Sequence, residues 1–489
     1  MAEASYYVSR YLNVYPSQRN SSILFHGMTG CIDEIDRLLA HRLTTDRVQG
    51  RCFRADGLSV ETLQFLEKRG HLTTLSPDAE HRFFCQHVET LHQKICAQRK
   101  QRGSLMLIPS YYCNLACFYC YQHPLRAKEG QNVTHVMTPE LVDLIFQTVI
   151  KRLYPDVPRY SSIAVDLYGG EPFLERNRPA LERIFQYTRD YQMPVSAISN
   201  ASSLGVFVDF FGIEPGQVNA LQISFDGDKL HHDQSRITHY GEGTFDAILA
   251  NIHRLLDRGV RIKIRVNTNK NTVDSLQCLW EQLEADEITS HPNVSPYAQA
   301  IHNHYDQTNP EPIFSRATLT RRVEAARVPF RTPLDTKMTR LLPVIEANGG
   351  IPLRRTNFCM QNTPNAFLID QRRDIYSCYE EAGYRQLAVG HFDENGEISL
   401  NDRYAMYQRR HVGMYEPCSK CAVALTCGGG CAIAARGAHW KSGTIFASHC
   451  DSHKELVATA IQRLLQNRAD GLKTVVKEED SWNLEQPYL

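Results

Sequence analysis

The chain has 489 residues, and its 54 lysine and arginine residues balance its 54 aspartate and glutamate residues. This length predicts about two to four domains, and the neutral balance argues against a nucleic-acid partner, which would require a basic surface. No apolar run approaches the roughly 20 residues of a membrane span, and the N-terminus lacks the basic and apolar regions of a signal peptide. The 15 cysteines therefore indicate a cytoplasmic protein without a membrane partner, in which cysteines bind metals or clusters more often than they form disulfides.

Residues 1–100 are predicted to form a small separate domain. Its predicted elements are strands over residues 11–15, 22–25 and 71–75 and helices over residues 33–43 and 60–68. The first helix is indicated by apolar side chains at helical spacing, and the second is expected to end at Gly70. This order of elements is typical of a winged-helix-like unit.

Residues 101–340 alternate between predicted strands and helices, which indicates βαβ units and a parallel sheet. The predicted strands cover residues 105–109, 163–168, 195–199, 220–225, 260–267 and 294–298. Six strands favour an α/β fold built as a partial (β/α)6 barrel over a closed barrel of eight. Residues 341–468 are expected to form a cysteine-rich domain ending in an amphipathic helix over residues 453–468, and residues 469–489 a loose charged tail.

A cluster of cysteines follows the first strand of this sheet. Cys113, Cys117 and Cys120 have the spacing C-x3-C-x2-C, and the aromatic Tyr119 directly precedes the third cysteine. Three thiolates this close can bind three irons of a [4Fe–4S] cube and leave the fourth iron without a protein ligand. The open iron can then hold a small molecule by its amino and carboxylate groups. A zinc site is the alternative, although zinc sites more often pair C-x2-C with a second, distant pair.

Polar and glycine-rich segments follow three further predicted strands. Gly169-Gly170-Glu171 follows the second strand, and Ser199-Asn200 lies at the end of the third. Ser224 lies at the end of the fourth strand, and Arg236 follows that strand. Chemistry in parallel barrels occurs at the carboxyl ends of strands, so these segments are expected to share one site with the cysteines. Glycines allow the backbone to approach a ligand closely. Glu171 can accept a hydrogen bond from an ammonium group, and Arg236 can form a bidentate pair with a carboxylate.

The C-terminal third contains a second group of cysteines. It comprises Cys359, Cys378, Cys418, Cys421, Cys427, Cys431 and Cys450. From Cys418 to Cys431 the spacing is C-x2-C-x5-C-x3-C. A double zinc ribbon is the alternative here, but seven cysteines do not fill two sites of four thiolates each.

Together these motifs resemble those of radical S-adenosylmethionine (SAM) enzymes with a C-terminal SPASM domain. The resemblance implies SAM and three [4Fe–4S] clusters as cofactors, with the radical-generating cluster on Cys113, Cys117 and Cys120. It implies that SAM is contacted by Tyr119, Gly169, Gly170, Glu171, Asn200, Ser224 and Arg236. One auxiliary cluster would bind Cys418, Cys421, Cys427 and Cys450, and the other Cys359, Cys378 and Cys431, with no cysteine for its fourth position.

Two positions depart from the family pattern. Ala201 stands where the family often has a glycine after Ser/Thr-Asn, which weakens the assignment of Asn200 to the SAM ribose. Arg373 stands five positions before Cys378, where family members often have a glycine, so the hairpin at this point is expected to differ.

The resemblance also implies a reaction. A 5′-deoxyadenosyl radical would abstract hydrogen from a ribosomally made precursor peptide, and an auxiliary cluster would take up an electron as a C–S, C–C or C–O side-chain cross-link forms. The front domain is similar to the peptide-recognition domain of many such maturases and would bind the leader peptide as an added strand. An electron donor such as flavodoxin or ferredoxin completes the expected partners.

Other functions remain open at the level of the sequence. A sulfatase-maturing enzyme that makes formylglycine is similar in both cysteine regions, but it commonly has an aspartate directly after the second SPASM cysteine, where this chain has Tyr379-Glu380. Peptide epimerisation would need a cysteine hydrogen donor. A non-catalytic iron–sulfur redox protein would not need a SAM site. Candidate groups near the substrate are His302, Tyr305 and Glu380.

Overall fold

The computed structural model describes residues 5–17, 21–122, 125, 135–301, 314–347, 354–359, 362–438 and 444–469. These residues form two compact units, and each is discontinuous in sequence. The first unit joins the N-terminal residues up to Lys94 with residues 333–359 and with the described residues from Arg410 onward. The second contains Ile95–Thr332 and Met360–Arg409. The division into four consecutive domains stays a prediction.

The N-terminal part of the first unit contains two small antiparallel sheets. One pairs β1 (Tyr7–Val8) with β5 (Leu72–Thr73), and the other has β2 (Leu12–Pro16), β3 (Ser21–His26) and β4 (Ile32–Asp36) in that order. The helices are α1 (Arg37–Gln49), α2 (Val60–Lys68) and α3 (Pro77–Arg99).

The helix predicted from Asp33 begins later than expected. Residues 32–36 pair with β3 as an antiparallel strand, and Asp36 caps α1 by accepting a hydrogen bond from the Leu39 backbone N–H at 2.8 Å. The aspartate therefore begins the helix, while the apolar side chain of Ile35 belongs to the strand. The prediction over residues 33–36 is wrong because short-range spacing does not reveal sheet pairing.

The second unit is organised around a ten-stranded sheet. Its first strands are β6 (Gly103–Ile108), β7 (Ile163–Leu167), β8 (Val195–Ser199), β9 (Val218–Phe225), β10 (Arg261–Thr268) and β11 (Val294–Ala300). These lie side by side in chain order and run parallel. The six predicted strands and the mixed α/β class are confirmed, while the closure of the sheet into a partial barrel stays a prediction.

The sheet continues beyond β6 with four short strands. They are β12 (Ala366–Asp370), β13 (Asp374–Tyr376), β14 (Gly390–Phe392) and β15 (Ile398–Leu400). β12 runs parallel to β6, and the other three follow as an antiparallel meander. This extension has no clear signal in the sequence, because its strands are too short to show a clear period.

Helices of the second unit connect its strands. They are α4 (Pro139–Leu144), α5 (Ile150–Leu153), α6 (Arg178–Asp190), α7 (Lys229–Ser235), α8 (Phe245–Leu256), α9 (Leu276–Ala285), α10 (Arg316–Ala325) and α12 (Asp402–Arg409), and a π-helical stretch (Ile145–Val149) joins α4 to α5. The Thr138 hydroxyl caps α4 by accepting from the Leu141 backbone N–H at 3.2 Å. One face of α8 is apolar and buried, including Phe245, Ile248 and Ile252.

The C-terminal part of the first unit is mainly helical. Its helices are α11 (Pro333–Ala347), α13 (Ala424–Cys427), α14 (Ala432–Ala438) and α15 (His453–Ala469), and α11 packs against α15. The helix predicted over residues 453–468 is thereby confirmed. In the part of the chain that the structure describes, no helix is both long and apolar enough to cross a membrane.

Strand β10 shows how the sheet positions polar side chains. Ile262, Ile264 and Val266 are buried, and the alternate positions Arg261 and Arg265 are only half-buried. Because successive side chains of a strand point to opposite faces, the apolar and the basic residues lie on different faces of the sheet. One face of β10 therefore carries the groups that are available to a ligand.

Candidate functional site

The cysteine loop follows β6 directly and is held by backbone contacts. The Ala116 N–H donates to the carbonyl of Ile237 at 2.8 Å, which anchors the loop to the segment after α7. Cys113 is buried and Cys117 and Cys120 are half-buried. The Asn200 side-chain amide lies 3.8 Å from the Cys113 sulfur and donates to it. The structure thus places the residue predicted to follow the third strand beside the first predicted cluster ligand.

The two glycines after β7 allow their backbone to lie against the cysteine loop. The Gly170 N–H donates to the Ser110 carbonyl at 3.2 Å, and the Glu171 N–H donates to the Tyr112 carbonyl at 2.8 Å. A Cβ atom at Gly170 would lie only 2.1 Å from the Tyr112 carbonyl oxygen. Gly169 has a φ of +146°, and a Cβ there would lie 2.5 Å from the Ser110 carbonyl oxygen. Because these residues are glycines, their backbone can lie directly against the loop that carries the cysteines.

Glu171 joins the ends of two neighbouring strands. Its buried carboxylate accepts hydrogen bonds from the Ser199 hydroxyl at 2.8 Å and from the Asn200 and Phe173 backbone N–H groups at 2.8 and 3.1 Å. Burial raises the pKa of Glu171, and these three donors oppose the shift by stabilising the charged form. Because two carboxylate oxygens can accept about four hydrogen bonds, the group can still accept one from an ammonium ligand.

Tyr119 connects the cysteine loop to the ends of β9 and β10. Its hydroxyl accepts from the Arg236 guanidinium at 3.0 Å and from the Asn267 amide at 3.3 Å. Asn267 also donates to Asp226 at 3.0 Å, and Asp226 lies 3.8 Å from Arg236. Burial and the Asp226 carboxylate hold the pKa of Tyr119 well above its usual value. The arrangement keeps Arg236 charged and fixed beside the loop.

Arg236 retains capacity for a further partner. Its Nε atom is buried and has no hydrogen-bond partner among the described residues. Ser224, the other group predicted to contact the SAM carboxylate, lies on β9 directly opposite Arg265 of β10. A carboxylate is the group that would satisfy a guanidinium N–H at this position. The SAM contacts assigned to these residues stay predictions.

The structure brings together three tyrosines that are far apart in the sequence. The Tyr121 and Tyr168 hydroxyls lie 2.6 Å apart, and the rings of Tyr168 and Tyr379 lie 5.3 Å apart. Arg265 donates to Asn267 at 2.9 Å, and the nearby phenols favour its charged form, which raises its pKa despite burial. The only sequence signal was positional: these residues directly follow a strand or a predicted cluster cysteine. The result is an aromatic surface with one guanidinium beside the cysteine loop.

Other candidate residues have different outcomes. His232, which follows the fourth predicted strand, is buried and lies 3.1 Å from the Thr244 hydroxyl, and burial keeps its pKa well below the usual value. Glu380 lies close enough to Tyr168 and Tyr379 to raise the pKa of both phenols, after the larger effect of burial. His302 and Tyr305 lie outside the described residues.

Four cysteines of the second group lie close together in the first unit. Burial raises the pKa of Cys418 to about 12, and the neighbouring thiols Cys427, Cys421 and Cys450 contribute in the same direction. The run Gly428-Gly429-Gly430 has φ values of +78°, +85° and +79°, a left-handed conformation that other residues rarely adopt. This run turns the chain sharply after Cys427, and so the spacing C-x5-C-x3-C is compatible with a compact site.

The remaining cysteines of this group are divided between the units. Cys359 and Cys431 belong to the first unit, and Cys378 belongs to the second. Their assignment to a common cluster stays a prediction, as does the identity of a fourth ligand.

The four neighbouring thiols are a donor set that an iron–sulfur cluster can use. Within the described ranges, no three His, Cys, Asp or Glu side chains converge closely enough to hold one metal ion. A [4Fe–4S] cluster binds each thiolate to a different iron, so its ligands stand farther apart than the four thiolates around one zinc ion.

No protein-family model matches the chain. Among curated proteins, it is 26% identical over 176 residues to the Fe-coproporphyrin III synthase of Methanosarcina barkeri (strain Fusaro / DSM 804), covering 36% of this chain and 39% of that protein. It is 25% identical over 217 residues to the cysteine-type anaerobic sulfatase-maturating enzyme of Clostridium novyi (strain NT), covering 42% of this chain and 56% of that enzyme. The chain thus spans between two fifths and just over half of the length of these relatives.

Among solved structures, the chain resembles anSMEcpe with bound AdoMet, with a TM-score of 0.55 and 18% identity over 78% of this chain and 98% of that chain. The same protein with bound AdoMet and the Cp18Cys peptide matches with a TM-score of 0.53 and 18% identity over 76% of this chain and 99% of that chain. At these identities the likeness shows a shared fold. In part of its sequence and in its fold the chain is thus similar to radical SAM maturases, as its motifs predicted.

Proposed function

We propose that the chain is a radical SAM peptide maturase that abstracts hydrogen from a ribosomally made precursor peptide and oxidatively forms a side-chain cross-link. The observation that carries this proposal is the contact between the cysteine loop, the Gly-Gly-Glu segment and Asn200 at the carboxyl ends of the parallel strands. A simple electron carrier would not require these strand ends to be linked around a cysteine loop.

The residues of this site have distinct proposed roles. Cys113, Cys117 and Cys120 would hold a [4Fe–4S] cluster that, when reduced, supplies the electron for cleaving SAM to a 5′-deoxyadenosyl radical. Arg236 would bind the SAM carboxylate, because its buried Nε–H has no partner among the described residues. Glu171 would orient the amino group while its three hydrogen bonds hold the strand ends in place.

A peptide substrate is supported by the fold and by the surface beside the cysteine loop. The solved neighbour anSMEcpe binds the Cp18Cys peptide. In this chain, Tyr168, Tyr379 and Arg265 lie close to one another beside the cysteine loop. Aromatic rings and a guanidinium can hold a peptide through apolar contacts and hydrogen bonds to its carbonyl groups. The N-terminal elements would bind the leader peptide as an added strand.

Net oxidation of a peptide requires an electron acceptor. The proposed acceptor is an auxiliary cluster bound by the C-terminal cysteines. Cys418, Cys421, Cys427 and Cys450 would hold one auxiliary [4Fe–4S] cluster, and Cys359, Cys378 and Cys431 a second. With the radical-generating cluster, the proposed total is three. A flavodoxin or ferredoxin would deliver the electron that starts each turnover.

The test is anaerobic co-expression with a short peptide encoded beside the gene, followed by mass spectrometry. A peptide that loses two hydrogens supports cross-linking, and fragmentation then locates the joined residues. Formation of 5′-deoxyadenosine with no change in peptide mass would instead indicate epimerisation. If reduced protein forms no 5′-deoxyadenosine from SAM, the proposed class of enzyme is refuted.

A sulfatase-maturing enzyme is the second candidate. It is supported by the Clostridium novyi relative and by the fold of anSMEcpe. Glu380 would have to replace the aspartate that such enzymes commonly have after the second SPASM cysteine, and it lies near the phenols of Tyr168 and Tyr379. Conversion of a cysteine in a sulfatase-derived peptide to formylglycine would favour this candidate over cross-linking.

A further inference from the structure

Arg410 is a buried cation without an acidic partner among the described residues. Its side chain is 0% exposed, and its guanidinium donates to the backbone carbonyls of Ile445 at 2.6 Å and Ala447 at 2.9 Å. Its Nη1 atom has no hydrogen-bond partner among the described residues. Buried charges in proteins are normally paired or bound to an opposite charge. An anionic group beside Arg410 would satisfy this buried charge.

The groups around Arg410 identify that neighbour. The guanidinium lies 4.9 Å from the ring centre of Tyr415, whose own buried hydroxyl has no oxygen or nitrogen partner among the described residues. Tyr415 packs in the same buried cluster as Cys418, and Cys421 packs against that cluster. Two buried donor groups, the guanidinium of Arg410 and the hydroxyl of Tyr415, thus lie near the C-terminal thiols.

The glycine run contributes to the same arrangement. A Cβ atom at Gly429 would lie 2.1 Å from the Tyr415 hydroxyl, so only glycine lets this hydroxyl lie against the turn after Cys427. A Cβ at Gly430 would lie 2.0 Å from the His449 carbonyl, which directly precedes Cys450. The turn therefore holds the phenol close to two of the four cysteines. A tyrosine kept there for packing alone would not need its hydroxyl buried beside thiols.

We propose that Arg410 and Tyr415 are positioning residues for the auxiliary cluster, donating hydrogen bonds to it and offsetting its negative charge. Net charge, hydrogen bonds to sulfur and burial set the reduction potential of iron–sulfur clusters. A cation and a hydroxyl donor favour the more negative, reduced state, so these two residues raise the potential of the cluster held by Cys418, Cys421, Cys427 and Cys450. This cluster then accepts an electron more readily than one without them. The inference rests on the proposed function, which places a cluster at these cysteines.

The test is a redox titration followed by electron paramagnetic resonance. Cys113, Cys117, Cys120 and Cys378 are first replaced by alanine to remove the other two proposed clusters. The signal then comes from the cluster at the four C-terminal thiols. In this background, Arg410→Gln is expected to lower the equilibrium constant for reduction of the cluster at least tenfold. For a one-electron couple, this is a shift of about 59 mV to a more negative reduction potential. Tyr415→Phe, which removes only the hydroxyl, should shift it in the same direction by less.

Arg258→Gln is the matched control, because the half-buried Arg258 also donates to a backbone carbonyl, that of Phe211 at 2.7 Å, but belongs to the other unit. It should leave the potential unchanged. If Arg410→Gln loses the cluster through misfolding, Tyr415→Phe, which keeps Arg410, decides the matter by its potential. A wild-type potential in Tyr415→Phe, or in an Arg410→Gln protein that retains the cluster, would overturn the inference. A background protein that binds no iron, with or without Arg410, would instead refute the proposed cluster itself.

Discussion

Gly170 fixes the position of the cysteine loop through a backbone contact that no larger residue permits. We predict that Gly170→Ala forces the loop away from β7, because the new Cβ would meet the Tyr112 carbonyl oxygen at 2.1 Å. Such overpacking costs about 1–3 kcal/mol. The expected result is reduced iron content and loss of 5′-deoxyadenosine formation in reconstituted protein.

The control for this substitution is Gly241→Ala. Gly241 has a φ of +83°, but a Cβ added there would have no described atom within 4 Å, so this change adds backbone strain without a clash. It should retain iron and SAM cleavage. Equal loss in both variants would show that the contact with Tyr112 is unimportant.

A single thiol of the loop should decide whether the radical-generating cluster is bound. Cys117→Ala is predicted to abolish 5′-deoxyadenosine formation and to lower the iron content by about one cluster per chain, since the cluster would keep only two of three protein ligands. Iron and sulfide analysis with a SAM-cleavage assay measures both. Cys278→Ala replaces an exposed cysteine and should change neither. Unchanged cleavage in Cys117→Ala would contradict the assigned ligand set.

At the scale of elements, strand β7 carries a buried carboxyl group that makes stability depend on pH. Burial raises the pKa of Asp166 from 3.8 to about 6, while the Ser196 hydroxyl and Lys263 oppose the shift. A folded-state pKa above the unfolded one means that the native state binds more protons between these values. Stability is therefore lost as pH rises from about 4 to 6.

We predict that Asp166→Asn removes this loss, because an amide can accept the Ser196 hydrogen bond without ionising. The free energy of unfolding of the variant minus that of wild type should increase by up to about 3 kcal/mol from pH 4 to pH 7. This figure follows because each unit of pKa shift corresponds to about 1.36 kcal/mol. Urea unfolding of the metal-free protein at each pH measures the difference. The second carboxyl with a pKa raised to about 6, Asp370, is present in both proteins and cancels. A difference that does not change with pH would contradict the prediction.

At the scale of the whole molecule, the first unit combines segments that are far apart in sequence. Tyr11 donates to the carbonyl of Ser419 at 2.8 Å and stacks on Phe84 with ring centres 4.3 Å apart. The same core cluster includes Cys418. The N-terminal residues and the C-terminal cysteine Cys418 therefore share one hydrophobic core.

This shared core makes a testable prediction for Tyr11→Ala. Truncating a ring that is 1% exposed should destabilise the unit by about 3–5 kcal/mol and lower the iron bound at the C-terminal cysteines. Limited proteolysis and iron analysis of reconstituted protein measure the two effects. Tyr240→Ala, at a side chain 92% exposed, is the control and should resemble wild type. Full retention of iron in Tyr11→Ala would show that the two segments are independent.

The sequence by itself determined the six parallel strands, the cysteine spacings and the loops that follow the strands, because these depend on short-range periodicity and on local chemistry. It predicted Glu171 and Arg236 as site residues from their positions after strands. Only the tertiary structure decided that β4 is a strand, that β12 extends the sheet beside β6, and that Arg410 lies buried near Cys418. These features depend on contacts between residues distant in the chain, and the spacing of neighbouring residues contains no information about such contacts.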